Sequence, residues 1–318
     1  MQHPHDLLGP VPERLDPSVV RRLSVIAPRR ALAAIASEWL LIAVTIGVAL
    51  RVDAWWTSMA ACVLIGARQH ALMVLAHDAS HFRLLPNRAL NDWVANLLLA
   101  WPTFISVQGF RHFHGDHHRF LNQEGDGNRK LWGTHDARGQ RSREWTYPKT
   151  PWGLALTLLR RGLLATGAFW MVRGLIGGFM FGAPPLAQVV RPLLWCGVGW
   201  VLGVVDGWWA FLLYWVVPYC TWHVVAQYVR LICEHSNVRS DDPRYADTRS
   251  TTPGWLGRLL VLPRNIGYHI EHHWYPSVPF YRLPELHACL AAQAGYRAHA
   301  RHGRSIVASL RQCVRWGA

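Results

Sequence analysis

The stretch AWWTSMAACVLIGARQHALMVLAHDASH, residues 54–81, decides the fold because it joins an apolar block to a pair of histidines. A helix that crosses a bilayer needs about 20 predominantly apolar residues. The block from about Ala54 to Ala76 has that length, so we predict a membrane-spanning helix there. His77 and His81 follow it at the i, i+4 spacing that places two side chains on one helix face. The sequence therefore predicts a histidine site at one end of a span.

Three further apolar blocks predict three more spanning helices. One runs from about Ala31 to Leu50 and lies only a few residues before the first block. Another covers Pro192–Val205, with an alternative start nearer Pro185, and the last covers Gly207–Val229. Only Asp206 separates these last two blocks. Such short connections predict two tight helical hairpins.

Two other apolar segments, Leu90–Val107 and Gly153–Gly182, are less clear spans. Arg160, Arg161 and Arg173 interrupt the second of them. Each such charge costs a few kcal/mol at the centre of a bilayer. We therefore favour interfacial or re-entrant helices in both segments, while a further spanning pair stays open.

The basic residues of the chain give an orientation. The net charge is +14, and the arginines flank apolar blocks instead of forming a stripe or a recognition helix, so nucleic-acid binding is not expected. They concentrate before Ala31, in 111–149 and after Arg230, whereas the predicted hairpin tips carry almost none. By the positive-inside rule, both termini and the central loop face the cytoplasm. We expect an integral protein of a bacterial inner membrane.

These observations predict an all-α integral membrane fold with four transmembrane helices in two hairpins. The family resemblance given below adds a cytoplasmic helical cap, which would hold a histidine-rich site for two metal ions. The expected divisions are a cytoplasmic N-terminal segment (1–30), a membrane domain with its cap (31–290) and a basic C-terminal tail (291–318).

Nine of the 18 histidines fall in four clusters that this topology places on one side of the membrane. The clusters are His77 and His81; His114, His117 and His118; His235 beside Glu234; and His269, His272 and His273. Within a cluster the i, i+3 and i, i+4 spacings can aim two or three imidazoles at one point. First-row metals take about four to six ligands, so nine imidazoles predict two ions. Structural zinc prefers four ligands and catalytic zinc three, whereas an imidazole-rich site with open positions suits iron and O₂.

Acidic residues recur beside the clusters, at Asp78, Asp116, Glu234 and Glu271. Histidine ligands usually donate their second N–H to a carboxylate or carbonyl, so we predict that these residues, and Asn265, orient the ligands. Direct ligation by Glu234 stays open. Outside the clusters, His70 and His223 lie within predicted spans, where ionisable groups are often functional, whereas His299 and His302 are not expected to bind metal.

The histidine motifs resemble those of the membrane-bound fatty acid desaturase and hydroxylase superfamily. The matching motifs are HxxxH at 77–81, HxxHH at 114–118 and HxxHH at 269–273, in the family's order and position relative to the spans. The stretch NIGYHIEHH, 265–273, with YPSVP at 275–279 and LPELH at 283–287, is especially similar to the third desaturase motif. The resemblance covers roughly 39–287.

The resemblance implies a di-iron centre with nine histidines, four spans, a cytoplasmic cap and O₂ as co-substrate. His235 matches the family's isolated ligand after the last span. Acyl-CoA desaturases carry an asparagine four residues before that histidine, where this chain has Leu231. Whether Glu234, Arg230, Gln227 or water takes its place stays open.

The expected reaction removes two hydrogens from a long acyl chain of a lipid, fatty acyl or sphingoid substrate. Hydroxylation or ketolation of a fatty acid, carotenoid or alkane is the nearest alternative, and a histidine-rich metal transporter or sensor lies outside the enzyme class. No dinucleotide fingerprint or ferredoxin cysteine pattern is present. Electrons should therefore come from a separate ferredoxin or cytochrome-type protein, which the basic face would attract if it is acidic.

Overall fold

The computed structural model describes residues 14–136, 138–180 and 182–315, and nearly all of their regular structure is helical. The α-helices are α1 (Pro17–Leu23), α2 (Pro28–Val52), α3 (Trp55–Ser80), α4 (Arg88–Ala95), α5 (Val107–Arg119), α6 (Gly127–Trp132), α7 (Pro151–Arg161), α8 (Leu164–Met180), α9 (Pro185–Val204), α10 (Trp208–Phe211), α11 (Val224–His235), α12 (Trp255–Leu260), α13 (His269–Trp274), α14 (Leu283–Ala291), α15 (Ala294–His299) and α16 (Ile306–Gln312). Two short strands, β1 (Arg249–Thr251) and β2 (Arg301–Gly303), pair in parallel.

Four helices of the described chain are long and apolar enough to cross a membrane, and they coincide with the four predicted spans. They are α2, α3, α9 and the continuous helical stretch Trp208–His235. The last includes α10, two π-helical turns and α11. α9 begins at the earlier of the two predicted starts, with Pro185 in its first turn, where a missing N–H costs nothing.

Short connections join the long helices in sequence. Asp53 follows α2 and Asp206 lies between α9 and α10, each with a φ of 50°. This left-handed region is accessible to aspartate at small cost, and it allows the chain to reverse within a few residues. α2 then packs along α3, and α9 contacts α10.

α3 is the central helix of the membrane part. Its apolar window is 72% buried inside the protein, against 11% for α9. The outer helices instead expose large apolar side chains, such as Leu40 and Val44 on α2 and Leu193 and Trp200 on α9. These exposed apolar faces fit contact with lipid, while α3 carries its C-terminal histidines into the interior.

A buried carboxylate inside the membrane helices is paired with two arginines. Glu38 of α2 is completely buried and accepts hydrogen bonds from Arg68 of α3 (3.0 Å) and from Arg264 (2.6 Å). Such pairing is how proteins accommodate ionised groups that would be costly in isolation. The ion pairs also connect the membrane helices to the segment that precedes α13.

The two less clear apolar segments are each divided by a break. Leu90–Val107 covers most of α4, continues as a π-helix over Asn96–Ala100, and is then non-helical up to the first residue of α5. In the second segment, α7 ends at Arg161 and α8 starts at Leu164. Neither segment is among the four long apolar helices found in the described residues. The interfacial placement of both stays a prediction.

The C-terminal region supports α13 from behind. β1 contacts both α11 and α13, and β2 pairs with β1 from Arg249–Arg301 to Thr251–Gly303. The segment 291–318, which we predicted as a basic tail, thus contains β2, and β2 pairs with the strand β1 that contacts α13.

Candidate metal centre

The nine clustered histidines meet in two groups of potential metal ligands. The five-histidine group contains His77, His81, His114, His118 and His272, and the four-histidine group contains His117, His235, His269 and His273. Within each group the nearest ring nitrogens all lie within 4.8 Å of one another. The groups adjoin, because the rings of His118 and His273 stack with their centroids 4.3 Å apart.

Two helices contribute to both groups, which differs from our expectation that each cluster points at one place. α5 directs His114 and His118 to the five-histidine group but His117 to the other. α13 directs His269 and His273 to the four-histidine group but His272 to the other. Adjacent helical residues are turned by about 100°, whereas residues four apart differ by about 40°. Only the i, i+4 pairs therefore share a target, and α5 and α13 lie across both groups.

The separations between ring nitrogens fit metal coordination. His118 Nε2 lies 3.0 Å from both His114 Nε2 and His272 Nε2. His235 Nε2 lies 2.8 Å from His269 Nε2 and 3.2 Å from His117 Nε2. Two nitrogens bound to one ion at about 2.1 Å would be about 3.0–3.4 Å apart. The observed distances are close to that range.

Several imidazole nitrogens in the groups lack a hydrogen bond within the described chain although they are buried. They include Nε2 of His77, His81 and His273. Buried polar atoms without a partner are rare because desolvation costs free energy that nothing repays. A metal ion in each group would supply the missing partner, so the residues present fit a dimetal centre.

Several of the imidazoles are held in the neutral form that binds metals. Burial, with smaller contributions from the cations Arg83 and Arg111, lowers the pKa of His81 to about 3. Burial also holds the pKa values of His118 and His273 well below the ordinary value, with a contribution from neighbouring histidines. Neutral imidazole is the ligand form, so no proton has to be removed before a metal binds.

Asp126 orients His117, although no sequence pattern predicts this contact. His117 Nδ1 donates to Asp126 Oδ1 at 2.9 Å, which leaves Nε2 facing His235. Burial alone would raise the pKa of Asp126, but the hydrogen bonds from His117 and from backbone N–H groups lower it. Asp126 lies nine positions after His117, so a search beside the histidine motifs missed it. His235 is oriented by a backbone group, because its Nδ1 donates to the Asp247 carbonyl at 3.1 Å.

The predicted orienting residues lie in varied surroundings. Glu234 lies 3.4 Å from His269 Nδ1 and accepts from Arg230 Nε at 2.7 Å. Asp78 is 3.8 Å from His77 Nδ1 and accepts the Phe280 N–H at 2.8 Å. Asn265 donates to the Phe280 carbonyl at 3.1 Å. For Asp116, no side-chain hydrogen bond to a histidine is found among the described residues. That Asp78, Glu234 and Asn265 orient ligands stays a prediction, whereas no hydrogen bond supports that role for Asp116.

The Glu271 carboxylate forms hydrogen bonds on the side of α13 away from the site, and none to the nine histidines within the described residues. It accepts from Ser250 (2.5 Å), His287 (2.5 Å) and Tyr296 (2.6 Å). Burial alone would raise the pKa of Glu271, but these hydrogen bonds together hold it below its usual value. His302 joins Glu271 and His287 in a third set of potential ligands, whereas His299 belongs to none of the three sets. Three donors already satisfy the carboxylate, so the network holds α13 in place by hydrogen bonding.

Asp126→Asn is expected to lower the metal affinity of the four-histidine group by about ten- to hundredfold, the usual effect of losing a carboxylate behind a histidine ligand. The measurement is a competitive chelator titration of the purified protein. Asp116→Asn is the matched control and should change affinity less than about threefold, because the Asp116 side chain makes no hydrogen bond or ion pair with a clustered histidine in the described chain. Equal effects of the two changes would show that Asp126 does not orient His117.

Comparison with known proteins places this geometry in a family. The profile of the fatty acid desaturase family matches residues 54–305, a range that contains all nine histidines. The chain is 27% identical over 295 residues to a dihydrorhizobitoxine desaturase from Bradyrhizobium elkanii, covering 87% of this chain and 80% of that protein.

Two sphingolipid desaturases from animals are also similar to the chain. It is 25% identical over 246 residues to a human sphingolipid delta(4)-desaturase/C4-monooxygenase and 27% identical over 240 residues to a Drosophila melanogaster sphingolipid delta(4)-desaturase. Each alignment covers 73% of this chain and 65% of the relative, so the chain spans just under two thirds of these proteins.

Four long apolar helices, two adjoining histidine groups and a family match over most of the chain agree with one another. The chain belongs to the fatty acid desaturase family and is a membrane-bound oxidoreductase with a histidine cluster that is compatible with a metal site.

Proposed function

We propose that the chain is a di-iron desaturase that introduces a double bond into a long acyl chain of a fatty acyl, sphingoid or other lipid substrate. The division of nine histidines into groups of five and four carries this proposal, since it offers two ions separate ligand sets. All-imidazole sets with room for oxygen suit iron better than zinc. The family membership argues against the alternative of a metal transporter or sensor.

The overall reaction needs O₂, two electrons and two protons, and it forms an alkene and two waters from two adjacent CH₂ groups. When bound, iron and O₂ supply an oxidant strong enough for an unactivated C–H bond, which side chains cannot provide. The protein's own residues have the task of orientation: Asp126 and the Asp247 carbonyl hold His117 and His235 with Nε2 turned inward. Most of the nine imidazoles are buried, which limits the access of bulk water to the site.

Hydroxylation is the second candidate reaction, because one human relative is named as both a desaturase and a C4-monooxygenase. The two reactions use the same ligands, so the product distinguishes them. We expect the lipids of an expressing host to contain a species that lacks two hydrogens and depends on O₂. A host that expresses His273→Ala is the control. A species that instead gains one oxygen would favour the hydroxylase, and an unchanged lipid profile would argue against both reactions on the host's lipids.

The electrons would come from a separate protein, either a ferredoxin or a cytochrome. In this proposal the protein lies in a bacterial inner membrane, with both termini and the site on the cytoplasmic side. The net charge of +14 would attract an acidic electron donor to that side. Turnover with ferredoxin should then slow as ionic strength rises. A rate that is independent of salt would contradict electrostatic docking.

A further inference from the structure

A small pocket, open to solvent at its mouth, lies beside the two histidine groups. Its wall includes His114 of the five-histidine group and His117, His235 and His269 of the four-histidine group. A molecule in this pocket is therefore close to both proposed ions. Leu231 also lines it, at the position where acyl-CoA desaturases carry asparagine.

One wall of the pocket is polar although it belongs to the last membrane helix. Gln227, Arg230 and Glu234 line it from α11, and each is less than one tenth exposed. Apolar side chains such as Met73, Phe110 and Trp132 line the remainder. The pocket thus combines a hydrocarbon-like wall with a buried ion pair.

The ion pair is incompletely satisfied within the described chain. Arg230 has one hydrogen bond there, from Nε to Glu234 Oε1 at 2.7 Å, which leaves both terminal guanidinium nitrogens for another group. Glu234 Oε2 is buried and has no hydrogen-bond partner in the same part of the chain. The two terminal nitrogens of Arg230 and Oε2 of Glu234 are therefore available to a ligand, and Glu234 lies next to His269.

A plain hydrocarbon would leave these groups desolvated and unpaired, which is costly for charged atoms. The guanidinium fork matches a carboxylate or a similar acceptor, and a carboxylate oxygen accepts from an ammonium, a hydroxyl or an amide N–H. Since Arg230 and Glu234 have no net charge together, they fit a head group that presents an acceptor and a donor close together better than a simple anion.

We propose that Arg230 and Glu234 bind the polar head of the substrate, so that the carbons that react lie only a few bonds from a paired acceptor and donor. This inference rests on the proposed function, because the pocket is taken as the place where substrate meets the metal centre. It narrows the substrate from any long acyl chain to one with such a head group near the reacting carbons.

The test measures the binding of three probe molecules to the metal-loaded protein in detergent. Binding is monitored by Trp fluorescence, because Trp132 lies in the pocket wall. The probes are 2-aminododecanoic acid, dodecanoic acid and dodecane, which share a chain but differ in head group. We expect 2-aminododecanoic acid to bind at least about tenfold more tightly than dodecanoic acid and dodecane. In Arg230→Met/Glu234→Gln that preference should fall below about threefold, with iron content measured in parallel.

Arg68→Met is the matched control, because it removes a buried arginine from the Glu38 ion pair outside the pocket. It should keep the full preference for the amino acid probe. Equal binding of all three probes, or a preference that survives in the double variant, would overturn the proposal. If the unmodified protein did not bind two irons per chain, or formed no O₂-dependent product, the proposed function would be overturned instead. Iron content and product formation are both measured without the probes.

Discussion

Replacing His118 by alanine is expected to reduce O₂-dependent product formation by at least about a thousandfold. Changes behind a ligand typically cost ten- to hundredfold, and the metal carries the whole oxidising step. His118 Nε2 lies 3.0 Å from two other imidazole nitrogens of its group, and its ring stacks on His273 of the other group. Its loss therefore disturbs both groups. The measurement is product per minute by mass spectrometry, with iron per chain determined in the same preparation.

His299→Ala is the matched control for this change. His299 belongs to none of the sets of potential ligands, and its ring lies 5.7 Å from that of Tyr245. It should retain both activity and iron. From the sequence alone, His302 would be an equally good control residue. In the structure, however, His302 lies with Glu271 and His287 in the third set of potential ligands, so it is a poorer control. Full activity of His118→Ala would contradict the dimetal site, whatever the control shows.

The four spans could be predicted because each is a long apolar block. Such a block can be recognised from its length and composition alone, without information on distant contacts. Their ends were harder to place. α3 continues to Ser80 and carries His77 within its last turn, because its C-terminal part is packed inside the protein and does not meet water. The last span begins at Trp208 near the predicted residue but extends to His235. The pairing of Glu38 with Arg68 and Arg264 joins three distant segments, which no local pattern contains.

For the site, helical spacing selects eight of the nine histidines that the fold assembles, and His235 follows from its position after the last span and from the family resemblance. It could not assign them to groups, because that depends on how α5 and α13 cross the site. The outer contacts were also hidden. Asp126 reaches His117 through a loop, and Glu271, although next to His272 in sequence, points to Ser250 and Tyr296 on the other side of α13. Neighbours in sequence on a helix point about 100° apart, so adjacency to a ligand is weak evidence for contact with it.

The two groups differ in size, and this difference leads to the second large expected effect. His235→Ala should lower iron from about two to about one per chain, because it leaves three imidazoles where there were four. His235 is the ligand that α11 provides, and its Nε2 lies 2.8 Å from that of His269 and 3.2 Å from that of His117. The measurement is iron and protein quantification on the same purified sample, with electron paramagnetic resonance to detect an ion that has lost its partner.

His81→Ala is the informative comparison, because it removes one of five imidazoles and leaves four. Four ligands are still within the range that first-row metals accept, so His81→Ala should retain more iron than His235→Ala while losing activity. Equal iron loss in the two variants would show that the ions do not divide the ligands five to four. Two irons in His235→Ala would exclude His235 as a ligand. A single iron in that variant, with most of the iron kept in His81→Ala, would mean that each group of histidines holds its own ion.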